Sequence, residues 1–136
     1  MATTVLEIAG SDRFLSKFLR AFNLTALAEE LSKSAPFTFF APVNLAFETV
    51  DNKSFDELMK PANRQWLTDI LGYHIVNGKM LLKDFRNGQK LETLNGKVLV
   101  VSIKDNNVHI NGAKILSRDK QASNGVLHCV DAVNLP

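Results

Sequence analysis

Cysteine is nearly missing from this chain: Cys129 is the only one in 136 residues. No internal disulfide is possible, so the fold is held by its core and not by covalent staples. Long hydrophobic runs are missing too. No apolar stretch approaches the ~20 residues of a helical bilayer span, so membrane insertion by this chain is not expected. A strong charge of one sign is also lacking. The net charge is +2 and no run of Lys or Arg exceeds two residues, which argues against a nucleic-acid partner. The start, Met1-Ala2-Thr3-Thr4, leads directly into amphipathic sequence, without the basic and apolar regions of a signal peptide. No glycine-rich phosphate loop, Rossmann glycine pattern or nucleophile elbow is found. Trp and Tyr occur once each, against nine Phe. That imbalance favours a core built on rings with no polar atom to satisfy.

What is there describes an ordinary globular domain. Apolar residues make up 46% and charged residues 22%. The length suits one domain, residues 1–136, large enough to bury a core of its own. No linker, repeat or low-complexity segment divides it.

The first third reads as helical. Val5, Leu6, Ile8 and Ala9 suit a short opening helix stopped at Gly10, and Ser11 is a good N-cap for the next, with Asp12 in its first turn. Phe14, Leu15, Phe18, Leu19 and Phe22 make one apolar stripe at helical spacing. Leu24, Leu27, Ala28 and Leu31 make a second. Phe37 to Ala41 is β-prone and stops at Pro42. Asn44 is expected to cap a short helix carrying Leu45, Ala46 and Phe47. Ser54 and Glu57 fit a capping box, and Pro61 suits the first turn of a helix with Trp66, Leu67, Ile70 and Leu71 on one face.

After Tyr73 the pattern turns to β. Short runs alternate with turn signals at Asn77-Gly78, Asn87-Gly88, Asn95-Gly96, Asn106-Asn107 and Asn111-Gly112. The clearest strand is Lys97 to Lys104, followed by Val108 to Ile110, Ala113 to Leu116 and Val126 to Val133. Helices gathered before strands argue for an α+β fold.

Four segments, in order, carry a resemblance. Thr38-Phe39-Phe40-Ala41-Pro42-Val43-Asn44-Leu45-Ala46-Phe47 resembles the first motif of the fasciclin (FAS1) domain, with Val43 where Thr or Ser is commoner. Leu71-Gly72-Tyr73-His74 is similar to its central Tyr-His motif. Gly112 through Asp119, then Ala122 to Gly125, resembles the run into the closing motif. Asn124-Gly125 through His128 to Pro136 resembles that motif itself. The resemblance implies a twisted β-sandwich wedge of about seven strands, with N-terminal and central helices along one side. It marks Thr38, Phe40, Ala41, Pro42, Asn44, Phe47, Asn124, Gly125 and His128 as structural. It also implies a non-enzymatic adhesion module, extracellular or periplasmic, binding a protein or glycan at a cell surface or matrix, with weak self-association as a further expectation. Single copy and absent disulfides look microbial. Adhesive members are linked to Asp-Ile pairs beside the Tyr-His motif. The corresponding candidate surface here is Asp69, Ile70, Tyr73 and His74, with Asp69 expected at the exposed helix end, Ile70 belonging to the buried apolar stripe and His74 read as mainly structural. Asp119 marks a second position, where Lys120 replaces the apolar partner.

Other chemistry has less behind it. His74, His109 and His128 lack the close spacing of metal ligands, so no metal or cofactor is expected. His128 lies in an apolar run and is read as a hydrogen-bonded core histidine. His128 and Cys129 are neighbours on a strand and point to opposite faces, so they cannot form a dyad. Sequence leaves open a Cys129–His74 hydrolytic pair. It also leaves open a small-ligand carrier or sensor using a pocket between helices and sandwich.

Overall fold

The fold, given by a computed structural model, is described here for residues 8, 10, 13–25, 36–50, 53–122 and 125–135. In chain order its elements begin α1 (Ser16–Asn23), β1 (Phe37–Pro42), β2 (Thr49–Val50), β3 (Lys53–Ser54), α2 (Phe55–Leu58) and α3 (Arg64–Gly72). They continue β4 (Ile75–Asn77), β5 (Lys90–Glu92), β6 (Val98–Lys104), β7 (Asn107–Ile110), β8 (Ala113–Ala122) and β9 (Gly125–Val130).

Seven strands form one sheet in the order β4-β1-β9-β8-β7-β6-β5. Every neighbouring pair is antiparallel except β1 and β9, which run parallel with Phe40 opposite His128. The sheet curls until its ends meet. Val76 bridges Thr93 just beyond β5, and the Leu94 amide donates to the Ile75 carbonyl at 3.0 Å. Meeting ends leave few unpaired strand edges to recruit another chain. The expected seven-strand β architecture with helices alongside is therefore present, as a nearly closed sheet.

β1 and β9 are buried on both faces, which is why both read as unbroken apolar runs. Alternate residues face two different cores. Phe37, Phe39, Ala41, Leu127 and Cys129 join Phe18, Phe22, Phe47, Leu67 and Ile70 in a core beneath the helices. Phe40 and Val130 join Phe85, Leu99, Val101 and Ile110 inside the curled sheet. His128 lies on this inner side, its ring 5.8 Å from Phe40 and 5.5 Å from Phe85. Each fully buried Phe is worth about 1.5–3 kcal/mol, so the buried Phe side chains contribute to stability alongside the buried Leu, Ile and Val.

The sharp turns follow turn chemistry. Asp105 and Asn106 join β6 to β7, and Asn111 and Gly112 join β7 to β8, all with positive φ. Such two-residue turns match the twist of the strands they connect. The first turn is one residue earlier than expected, because Asn107 already pairs with Lys104. Asn77-Gly78 closes no hairpin; it leads from β4 into a 3₁₀ turn at Leu82–Asp84.

Three further expectations change. Phe14 is 57% exposed and leaves the α1 stripe, because the helix is entered through a 3₁₀ turn, Arg13–Leu15. Leu24 caps the end of α1 rather than opening a second stripe. β9 ends at Val130, where Asp131 bends the chain and its Oδ1 accepts from the Lys114 amide. Val5, Leu6, Ala9, Ser11, Asp12, Leu27, Ala28, Leu31 and Asn124 lie outside the described residues.

Candidate functional site

The Tyr-His segment follows directly on α3, and its burial decides what it does. His74 is fully buried. Its Nδ1 lies 2.7 Å from the Ile70 carbonyl, and its Nε2 lies 2.9 Å from the Asn134 amide. A carbonyl only accepts and an amide N–H only donates. The ring is therefore neutral, with its proton on Nδ1 and the Nε2 lone pair receiving Asn134. Burial pulls its pKa down to about 4, opposed by the bond to Ile70. The His74 carbonyl also accepts from the Phe40 amide at 2.8 Å. One residue thus joins α3, β1 and the C-terminal segment.

Tyr73 has a similar role towards the other end of the sheet. Its hydroxyl donates to the Val98 carbonyl at 2.9 Å and accepts from Asn111 Nδ2 at 2.7 Å. Asn111 Oδ1 in turn accepts from the Val100 amide at 2.7 Å. Ile70 is fully buried. Of the four residues expected to form an adhesive surface around this motif, only Asp69 is half-exposed; Ile70, Tyr73 and His74 face inward. The helical stripe that puts Ile70 in the core, and the polar tips of Tyr73 and His74 that need internal partners, account for this. Asp69 Oδ1 accepts from Gln65 Nε2 at 3.2 Å, and its carbonyl accepts from Asn95 Nδ2 at 3.3 Å. Asp119 is in β8, near register shifts in its pairing with β9; its side chain lies outside the described residues.

The first and closing motifs meet on one segment. Thr38 Oγ1 donates to the Gly78 carbonyl at 2.6 Å and accepts from the Met80 amide at 2.9 Å. His128 Nε2 lies 2.8 Å from the Met80 carbonyl, so that nitrogen carries its proton. Gly125 opens β9 where an added Cβ would meet the Phe37 carbonyl of β1. Ala41 and Pro42 complete β1, and Phe47 packs against Phe55 at 6.1 Å.

Asn44 does not cap its own turn. Val43 precedes that 3₁₀ turn, with no side-chain cap. Instead Asn44 Oδ1 accepts from the Lys17 amide at 2.9 Å, and its Nδ2 donates to the Arg13 carbonyl and to Ser16 Oγ, both at 3.0 Å. The motif asparagine caps α1 across the fold, satisfying one of that helix's orphan amides. Ser54 does cap α2, accepting from the Glu57 amide at 3.2 Å.

For a Cys129–His74 pair the geometry is unfavourable. Both ring nitrogens of His74 are spent on backbone groups, and Cys129 is buried in the core beneath the helices. Among the described residues no cluster of His, Cys, Asp and Glu is placed to hold a metal, and no helix is long and apolar enough to cross a membrane. The space between helices and sheet is occupied by core side chains such as Phe39, Phe47 and Leu127. Open grooves lie on the outside.

Sequence reading missed Asn134 and Asn111. Asn134 is buried, and its Nδ2 donates to the Ile110 carbonyl at 3.1 Å. The available signal was an Asn set among apolar residues, since a buried amide needs partners.

Known proteins agree with this architecture. The Fasciclin domain family model matches residues 13–136. The chain is 38% identical over 135 residues to Protein sll1483 of Synechocystis, covering 99% of this chain and 74% of that protein. It is 30% identical over 133 residues to transforming growth factor-beta-induced protein ig-h3 of Oryctolagus cuniculus, covering 98% of this chain but only 19% of that protein. A solved FAS1 domain pair from the insect cell adhesion molecule fasciclin I superposes with a TM-score of 0.83 at 19% identity, over 98% of this chain and 51% of that one.

Proposed function

The chain belongs to the fasciclin domain family, and on that premise we propose that it is a non-enzymatic interaction module. It adheres to a protein or glycan at a cell surface or matrix, from an extracellular or periplasmic position. One observation supports this most. The polar side chains of the motifs are spent inside the fold: Thr38, Tyr73, His74 and His128 each bond to backbone. None is left poised for acid–base or nucleophilic work, which needs a group within reach of a substrate. What remains to act on a partner is the rigid exterior. The superposed domain pair comes from a cell adhesion molecule, which favours the same reading.

On this reading Asp69 is the contact residue of the Tyr-His region. Ile70, Tyr73 and His74 stand behind it and fix the end of α3 that presents it. Asp119 marks a second contact position on β8. Affinity per copy is modest, and several copies on one surface raise it by effective concentration.

The test is binding of cells from the source organism to a surface coated with the folded domain. Saturable binding, reduced in Asp69→Ala or Asp119→Ala with folding intact, is the expected result. Absence of binding by the unaltered domain would refute autonomous adhesion.

A further inference from the structure

An open groove of about 520 Å³ separates α1 from the chain around α2. Ser16, Lys17 and Arg20 line it from α1; Glu48, Ser54 and Asp56 line it from the other side, with Phe55 between. Lys17 Nζ lies 5.1 Å and Arg20 Cζ 5.6 Å from the centre of the Phe55 ring. These contacts hold two long side chains in place that would otherwise sample many rotamers. Among the described residues, neither cation forms a salt bridge with Glu48 or Asp56. Donors and acceptors therefore face one gap without closing it.

The charges in the gap discriminate between ligand classes. Among the described lining residues, Lys17 and Arg20 balance Glu48 and Asp56. An anion meets two carboxylates, and a cation meets two basic groups, so a ligand of either sign gains little net attraction. A neutral polyhydroxyl chain meets no such conflict. Each hydroxyl donates as well as accepts, so it can donate to Glu48 and Asp56 and accept from Lys17 and Arg20. The Ser16 and Ser54 hydroxyls can do either, although Ser54 Oγ already accepts from Glu57 and Ser16 Oγ from Asn44. Hydrogen bonds with one ionised partner are roughly twice as strong as neutral ones. The volume falls within the ~300–1,000 Å³ range of small-ligand sites.

We propose that this groove binds a neutral carbohydrate segment. The inference rests on the interaction-module reading and names its partner class. Its described lining does not include Asp69.

The experiment is an NMR titration of the ¹⁵N-labelled domain with neutral gluco-, manno-, galacto- and xylo-oligosaccharides, and separately with oligouronate and inorganic phosphate. Amide shifts confined to Ser16–Arg20 and Ser54–Asp56 with a neutral oligosaccharide are expected. They should persist at high salt, and affinity should fall about tenfold in Arg20→Gln and in Glu48→Gln. Both residues are exposed, and the variants' spectra report whether the fold is kept. Shifts with oligouronate or phosphate alone, abolished by salt, would identify an anion site and overturn the proposal. So would no groove response to any probe. The cell-binding assay separates the two readings. Binding without groove shifts overturns the groove and keeps the module; groove shifts without binding support the groove and overturn autonomous adhesion.

Discussion

His74 makes acid a specific threat to this fold. In the unfolded chain its imidazole titrates near 6.5, and in the folded protein near 4. The unfolded state therefore takes up the proton first. Above about pH 6.5 both forms are neutral and the group adds no pH dependence. Below it, stability falls as pH falls, until the folded ring also titrates near pH 4. With about 1.4 kcal/mol per pKa unit, the loss is about 1 kcal/mol at about pH 5.5 and about 3 kcal/mol near pH 4. The main cause is burial, which strips the charged ring of solvent; a protonated Nε2 would also set an N–H against the Asn134 amide. The comparison to make is wild type against His74→Leu, which has no acceptor, by urea unfolding at pH 7, 5.5 and 4. The variant leaves the buried Asn134 amide unpaired, costing about 1–3 kcal/mol near pH 7. Other titrating groups are common to both proteins and cancel in the difference. The wild-type advantage should shrink by about 3 kcal/mol between pH 7 and pH 4, with the denaturant slope unchanged. A difference that stays constant with pH would refute the neutral, Asn134-bonded His74.

Asn44→Ala removes the cap on α1 and should lower stability by about 0.5–2 kcal/mol, with Asn44→Asp recovering only part of it because it keeps the Lys17 cap but sets an oxygen against the Arg13 carbonyl; thermal melts of both variants check this. Tyr73→Phe leaves the Val98 carbonyl without the hydroxyl and Asn111 without its acceptor, an expected loss of about 1–3 kcal/mol by urea unfolding. Gly125→Ala drives a Cβ into the Phe37 carbonyl at a φ of +155°. It should cost more than about 3 kcal/mol and show as loss of folded protein on expression, whereas Gly112→Asn, with open space around it but a φ of +89°, should cost only about 1–2 kcal/mol.

Much of the fold could be read from the chain because the responsible forces are local. The 3.6-residue stripe of α3 placed Leu67, Ile70 and Leu71 in the core, and the two-sided apolar run of β9 announced a strand buried on both faces. Ser54 was recognisable as a cap because its partner, Glu57, is three residues away. Asn44 misled for the opposite reason. Its short-range position suits a cap for its own turn, yet the amide it serves, Lys17, lies 27 residues back. Asp69-Ile70-Leu71-Gly72-Tyr73-His74 was a mixed case: the helical stripe already set Ile70 inside, while the partners of Tyr73 and His74 are distant. The motif was legible, while the direction Tyr73 and His74 face depends on Val98, Asn111 and Asn134, far along the sequence.

The sequence alone determined the α+β class, the Phe-rich core, the absence of disulfides and the Asn111-Gly112 turn. Each follows from composition or from neighbours within a few residues. Tertiary structure decided the parallel β1–β9 pairing, the closure of the sheet at Val76 and Thr93, the neutral state of His74, and the meeting of α1 with the start of α2 in a charge-balanced groove. These arise from contacts between residues tens of positions apart, where hydrogen-bond direction and shared burial, rather than local propensity, select the arrangement.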